Sequence, residues 1–309
     1  MQKSAVLIIG SEGFIGKHLV SGLKNEYAVT GCDLLDVAAV GNGYEYIQVS
    51  RSGAHWQSIL SSKKYHACIN VSGSANVSSS IKDPVADFHA NVSDVISILE
   101  AIRKFAASCK YLHFSSAAVY GNPVVLPVTE HAVPDPLSPY GWHKLLSEQV
   151  CREYFTVYGI QSAILRPFSV FGPGLKRQIF WDLYQKYSGN ANGIVTLFGT
   201  GMESRDFIYI EDLVAATKHV MTNSPFRANI YNIGNGLEVT IKEAAEKFLE
   251  LFDTACELQF NGEVKTGDPK NWRADITNLS ALGYTAQVSM EEGLKKYQQW
   301  LVCQDLKSH

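Results

Sequence analysis

Tyr140 and Lys144 stand four residues apart in the run Ser138-Pro139-Tyr140-Gly141-Trp142-His143-Lys144, a spacing that puts a phenol and an ammonium on one helical face. Ser138-Pro139 predicts a helix cap followed by the first helical position, so Tyr140 falls in the first turn and Lys144 one turn below it. A free phenol ionises near ~10 and is no base at neutral pH, but a fixed positive neighbour favours its phenolate form. Lowering it by roughly three units takes about 4 kcal/mol of differential interaction, within reach of one desolvated ammonium plus hydrogen bonds to the oxygen. Alone, the pair reads more simply as an aromatic ring packed under an aliphatic Lys stem.

Three other segments change that reading. Ala5-Val6-Leu7-Ile8-Ile9 is a short apolar run that ends in Gly10-Ser11-Glu12-Gly13-Phe14-Ile15-Gly16 and passes into an amphipathic stretch, Lys17 to Leu23. Strand, glycine turn and helix in succession make a seat for a diphosphate: Gly10, Gly13 and Gly16 allow a tight turn and close approach, and the first helical amides, Phe14 and Ile15 among them, face the phosphates. A purely structural turn is the rival reading. The next strand ends in Asp33, seventeen residues past Gly16, where a dinucleotide fold places the carboxylate for the adenosine ribose. Leu34 and Leu35 follow rather than a basic residue, which favours NAD over NADP, although Arg51 could reach the same pocket.

The third segment, Tyr111-Leu112-His113-Phe114-Ser115-Ser116, carries an apolar strand into two hydroxyl residues, which at the carboxyl end of a parallel strand open onto the ligand crevice or simply make a turn. Asn91, ahead of a helix over Val92–Ala107, is a candidate for the same crevice or an ordinary cap. His113 lies within an apolar strand and reads as a satisfied core histidine. His143 points about 100° away from Lys144 on the helix, so neither histidine is assigned a catalytic role.

The chain has 309 residues, 46% hydrophobic and 18% charged, with a net charge of −3. A substantial core is expected, and the charge offers no footprint for nucleic acid or an anionic membrane. Six scattered cysteines show no metal-like pairing, and no signal peptide or spanning segment is visible, so a cytoplasmic protein with reduced thiols is expected. Strands at Ala5–Ile9, Ala28–Cys32, Tyr44–Val49, His66–Val71 and Lys110–Ser115, then one ending at Leu165, alternate with helical stretches, including Val85–Ala107 and Ser138–Tyr158. That alternation predicts an α/β chain with a doubly wound parallel sheet of the Rossmann type. It loosens after Arg166-Pro167, so residues 1–166 read as the dinucleotide-binding domain and 167–309 mostly as a smaller C-terminal α/β substrate lobe, with a strand near 229–233 returning to the sheet. Helices at Ile241–Phe252 and Met290–Leu301 read as packing elements.

Taken in order, the glycine turn, Asp33, Ser115-Ser116 and Tyr140-Lys144 resemble the extended short-chain dehydrogenase/reductase family, in its nucleotide-sugar epimerase and dehydratase branch. The resemblance continues through Leu165-Arg166-Pro167-Phe168-Ser169-Val170-Phe171-Gly172-Pro173-Gly174, Ser204-Arg205-Asp206-Phe207-Ile208-Tyr209-Ile210-Glu211-Asp212 and Tyr231-Asn232-Ile233-Gly234. It implies an NAD-dependent enzyme in which Tyr140 takes a proton from a sugar hydroxyl, Lys144 supports it, and Ser116, with Ser115 as nearest competitor, holds the reacting oxygen. Dehydratases of the branch carry Asp-Glu after the Ser/Thr, whereas this chain has Ala117-Ala118, which cannot move protons. The resemblance therefore implies a 4-epimerase working through a 4-keto sugar, with a one-direction 4-reductase or dehydrogenase as the alternative and a catalytically silent dinucleotide sensor as the alternative from another class.

For the substrate, a nucleotide-diphosphate sugar, the resemblance implies Arg205 as the phosphate-binding residue, with ion pairing to Asp206 or Asp212 as its blander account. Lys265 and Trp272 occupy places where galactose-epimerase relatives have a second Arg and a Tyr, and Ser169 replaces the usual Asn after Arg-Pro-Phe. Lys176-Arg177-Gln178 with Trp181 falls where relatives close over the nucleotide, or is a solvated charge run. The family habit also implies a homodimer through the Val85–Ala107 and Ser138–Tyr158 helices.

Overall fold

The computed structural model describes residues 3–36, 43–50, 55–189, 193–252, 256–263 and 267–305. The first half alternates strands β1 (Ala5–Ile9), β2 (Ala28–Asp33), β3 (Glu45–Gln48), β4 (Tyr65–Asn70), β5 (Lys110–Phe114) and β6 (Ser162–Pro167) with helices α1 (Phe14–Leu23), α2 (Trp56–Ser62), α3 (Val77–Lys82), α4 (Pro84–Phe88), α5 (Asp94–Phe105) and α6 (Pro139–Tyr158). The rest holds β7 (Ser169–Phe171), α7 (Gln178–Ser188), β8 (Ile194–Leu197), β9 (Ser204–Arg205), β10 (Phe207–Tyr209), α8 (Ile210–Asn223), β11 (Arg227–Ile233), β12 (Val239–Thr240), α9 (Ile241–Leu249), β13 (Glu257–Phe260), α10 (Thr277–Ser280) and α11 (Met290–Asp305).

Seven strands form one sheet in the order β11-β6-β5-β4-β1-β2-β3, every pair parallel. Parallel strands buried on both faces need continuous apolar runs, and Val6, Leu7 and Ile8 in β1 and Ala67, Cys68 and Ile69 in β4 are fully enclosed. The order reverses between β1 and β4, which opens a crevice at the carboxyl ends of those strands. One apolar cluster, with Leu19, Leu23 and Val214, packs α1 and α8 on one face; another, with Ile98, Ile102 and Cys151, packs α5 and α6 on the other. The strand expected at 229–233 starts at Arg227 and pairs with β6, which makes it the edge of the main sheet. Smaller pairings, β10 with β7, β12 with β9 and β13 with β8, lie in the second half. Among the described residues no helix is long and apolar enough to cross a membrane.

The helix expected over Val85–Ala107 is present from Pro84 to Phe105 as α4, a π-type turn at His89–Ser93 and α5 in one unbroken run. Asp83 caps α4 by accepting from the Ala86 amide at 2.9 Å, with Pro84 at the first helical position. The wider turn lies inside a continuous helical run, so Asn91 is no cap.

Candidate active site

The glycine turn joins β1 to α1 with Gly10 at φ 85°. Its amide and that of Ser11 donate to Cys32 O at 2.8 and 3.1 Å, tying the turn to the end of β2. A Cβ on Gly10 would lie 2.8 Å from Ser72 N, and one on Gly16 only 2.0 Å from Gly10 O, so neither position admits a side chain. Gly13 caps α1, and Phe14, Ile15 and Gly16 form its first turn, where the helix has no internal acceptors for its amides. Above this turn a cavity of about 330 Å³ is lined by Gly10, Gly13, Asp33, Leu34, Leu35, Ser72, Gly73 and Asp94. The Asp33 carboxylate accepts from the amides of Glu12 at 2.9 Å and Leu34 at 2.7 Å, which fixes it at the cavity wall. Arg51 lies outside the described residues.

Next to Gly73, Asn91 is fully buried, and neither its amide nitrogen nor its oxygen has a partner among the described residues. A buried amide left unpaired is costly and calls for a ligand that completes it. The π turn thus sets a polar side chain behind Gly73 in the cavity wall, and the glycine cradle and the carboxylate together fit a dinucleotide.

At the neighbouring strand end, Ser116 caps a short 3-10 turn, Ala117–Tyr120, by accepting from the Ala118 amide at 3.1 Å. Ser138 caps α6, accepting from Gly141 N at 3.3 Å, with Pro139 in first position. Tyr140 and Lys144 then face inward on one side of α6, at 8% and 4% exposure. Burial raises the Tyr140 phenol above its ordinary value; a hydrogen bond with Ser116 and the charge of Arg177 lower it, and Asp87 raises it. Lys144 is the positive neighbour that the four-residue spacing singles out. Its Nζ donates to Phe114 O at 2.9 Å and lies 6.0 Å from the Tyr140 ring centre, and burial pushes its own pKa down to about 8 against the raising charges of Asp87, Glu148 and Cys151.

Residues 6–234 match the NAD dependent epimerase/dehydratase family. The chain belongs to that family. It is accordingly an enzyme, and NAD is the family's cofactor. A Methanocaldococcus jannaschii protein provisionally named as a UDP-glucose 4-epimerase is 31% identical over 313 residues, 96% of this chain and 98% of its own. The GDP-6-deoxy-D-mannose reductase of Pseudomonas aeruginosa is 25% identical, covering 94% of each chain. The UDP-glucose 4-epimerase of Thermotoga maritima, solved with UDP-glucose, superposes with a TM-score of 0.87 at 26% identity, over 97% of this chain and 99% of that one.

Within this member of the epimerase/dehydratase family, the two adjacent serines are not equivalent. Ser115 is turned away: its hydroxyl donates at 2.5 Å to Glu148 Oε1, itself held by Arg166. That bond commits the Ser115 proton to the buried carboxylate and leaves only its lone pairs to a ligand. His113 is buried between Ser147, 2.8 Å from its Nε2, and Tyr111, and burial keeps it neutral, as a core histidine. His143 pairs with Asp87 at 2.7 Å.

Arg205 is held by the carbonyls of Ser204 at 2.8 Å and Lys270 at 3.1 Å and stacks over Trp272, 5.6 Å from its ring centre. The blander account of Arg205 fails on geometry. Asp206 accepts instead from the amides of Asn235, Gly236 and Ala274, and Asp212 from those of Gln287 and Val288. Trp272 itself is buried, donates to Gly121 O at 3.0 Å and meets Phe168 edge to face. Ser169, at the head of β7, is half-buried, with its amide on Asp206 O at 2.9 Å. Lys265 lies outside the described residues.

Two groups escaped the sequence reading: Glu148, one turn below Lys144, and Asp87. The spacing Tyr140, Lys144, Glu148 repeats every four residues on one helical face, a signal that could have found the first. Asp87 reaches the site only through the fold.

Proposed function

We propose that this chain is a nucleotide-sugar 4-epimerase that works through a 4-keto intermediate with one retained NAD. The observation that carries this reading is Ala117-Ala118, directly after Ser116 in the turn beneath the crevice. Elimination of water across two carbons needs a further acid and base, and no side chain there moves a proton, whereas inversion at one carbon needs none. Tyr140 takes the proton from the sugar 4-hydroxyl and returns it; Ser116 holds the reacting oxygen in line, and Lys144 supplies positive charge from below. Gly10, Gly13, Phe14, Ile15 and Gly16 would hold the phosphates of NAD, Asp33 its adenosine ribose and Tyr140 and Lys144 its nicotinamide half, and the bound cofactor would supply a hydride acceptor and, in return, a hydride donor. Arg205, unpaired with Asp206 or Asp212 and braced on Trp272, grips the substrate diphosphate, with Lys265 and Ser169 as further substrate-binding residues. Residues 1–166 with the strand near 229–233 form the NAD-binding unit and most of 167–309 the substrate lobe, in a cytoplasmic enzyme.

A 4-reductase is the second reading, and the resemblance to the Pseudomonas aeruginosa reductase favours it. One assay separates the two. Purified protein is incubated with UDP-, GDP-, CDP- and dTDP-sugars while epimerised product and nicotinamide absorbance are followed. Product without net absorbance change is expected; stoichiometric consumption of reduced cofactor would establish the reductase, and inertness toward every sugar would sink both.

We also infer a homodimer. Val85 and Phe88 on α4 and Trp142 and Leu146 on α6 are exposed on neighbouring helices, an apolar face that a second copy would cover. Light scattering should give twice the 34.1 kDa chain mass; a monomer at micromolar concentration would refute the pairing.

A further inference from the structure

Asp206 sits between β9 and β10, wholly enclosed, and its carboxylate is the acceptor for three backbone amides. Oδ1 takes the Asn235 amide at 2.7 Å, and Oδ2 takes those of Gly236 at 2.9 Å and Ala274 at 3.0 Å. Asn235 and Gly236 follow the end of β11, whereas Ala274 closes the segment Lys270–Ala274, sixty-eight residues past Asp206. The junction is tight: a Cβ on Gly234 would lie 2.9 Å from Ala274 Cβ and 3.0 Å from Asp206 Oδ1. Burial pushes the Asp206 carboxyl up to about 6, against the three amides and the charge of Arg273, so at neutral pH it is ionised and offers only acceptors.

Three residues of the substrate pocket meet at this junction. Arg205 precedes Asp206 in the chain, and its Nη1 donates to Lys270 O at 3.1 Å as well as to Ser204 O at 2.8 Å. Trp272, whose ring centre is 5.6 Å from the guanidinium, stands two residues before Ala274, and its amide donates to Ser204 O at 3.1 Å. The Ser169 amide donates to the Asp206 carbonyl at 2.9 Å. We propose that Asp206 is a positioning residue for the substrate diphosphate: its carboxylate ties the Lys270–Ala274 segment to the strand that carries Arg205, and so fixes the carbonyl and the ring that aim the guanidinium. The proposal rests on the reading of Arg205 as the diphosphate-binding residue. A guanidinium on a flexible stem binds more tightly when its direction is set beforehand, because less rotamer freedom is lost on contact. A carboxylate that merely braced the fold would leave that affinity alone.

The test reads diphosphate affinity rather than turnover. UDP, GDP, CDP and dTDP are titrated calorimetrically into NAD-equilibrated protein at neutral pH. For whichever nucleotide the parent binds, Asp206→Asn, which keeps the shape and removes the charge, should weaken binding about tenfold with NAD content unchanged. Arg205→Gln should weaken it at least as much, and the double variant should bind no more weakly than Arg205→Gln alone, since both changes act through one group. Parent-like affinity in Asp206→Asn, or the same further loss when it is added to Arg205→Gln, overturns the proposal while leaving the diphosphate site standing. Parent-like affinity in Arg205→Gln, or a parent that binds none of the four, sinks the diphosphate reading and this proposal with it. Hydrogen exchange on the parent protein needs no variant: the Ala274 amide should be protected, and exchange at the rate of an exposed loop amide overturns the proposal even if Asp206→Asn fails to fold.

Discussion

Tyr140→Phe should lower turnover by about 10²–10⁴-fold, the usual worth of a positioned proton-transfer group, with the fold unchanged. Phenylalanine keeps the ring packed against the start of α6 and removes only the oxygen that meets Ser116. Cofactor content and the unfolding midpoint should therefore match the parent protein, while kcat on whichever sugar the panel identifies collapses at every pH. Ser116→Ala should cost less, since the proton acceptor remains. A Tyr140→Phe enzyme within about twofold of the parent would remove the chemical basis of the proposed reaction.

The second large effect is on stability. Glu148 receives Arg166 through two bonds, from Nε at 2.8 Å and Nη2 at 2.6 Å, and also accepts from Ser115, with both charged side chains almost wholly buried. Arg166 continues to Tyr120 OH at 2.8 Å and to Glu130 O at 3.3 Å, and Tyr120 donates to Asn232 at 2.6 Å. Replacing Glu148 by Leu strands a guanidinium without its counter-charge, so the loss should be about 3–5 kcal/mol in urea unfolding. Glu148→Leu with Arg166→Met should regain most of that, because two apolar groups of similar bulk need no partners. A single variant within about 1 kcal/mol of the parent, or a double variant no better than the single, would contradict this account of the pair.

How much of this could be read from the chain depends on which interactions are local. Ser138-Pro139 cap α6 as their types demand, and the apolar runs of β1, β4 and β5 occupy the positions their composition predicts, because caps and buried strands are set by neighbours in sequence. The glycine turn was legible for the same reason. Asn91 was not: the π turn that buries it packs against α6, a contact between distant segments that periodicity does not encode. Ser115 and Ser116 are indistinguishable as letters and are separated only by Glu148, thirty-three residues further on. The same holds for the phenol. Four-residue spacing brings Lys144 to the correct face, but whether its charge reaches the oxygen depends on Phe114 O, Asp87 and the depth of burial, none of them visible at that spacing.

The placement of β11 bears on how the protein can be taken apart. This strand supplies the only neighbour of β6 on that side of the sheet, and Asn232 within it carries the Tyr120 contact of the Arg166 network. A fragment ending at residue 166 would leave a fully enclosed strand with a bare edge open to pairing with other chains, the setting in which truncated proteins aggregate. Any attempt to express the dinucleotide-binding half alone, or to graft a different lobe onto it, must carry Arg227–Ile233 along. Newly made chains face the same condition, since the sheet cannot close until translation has passed that strand.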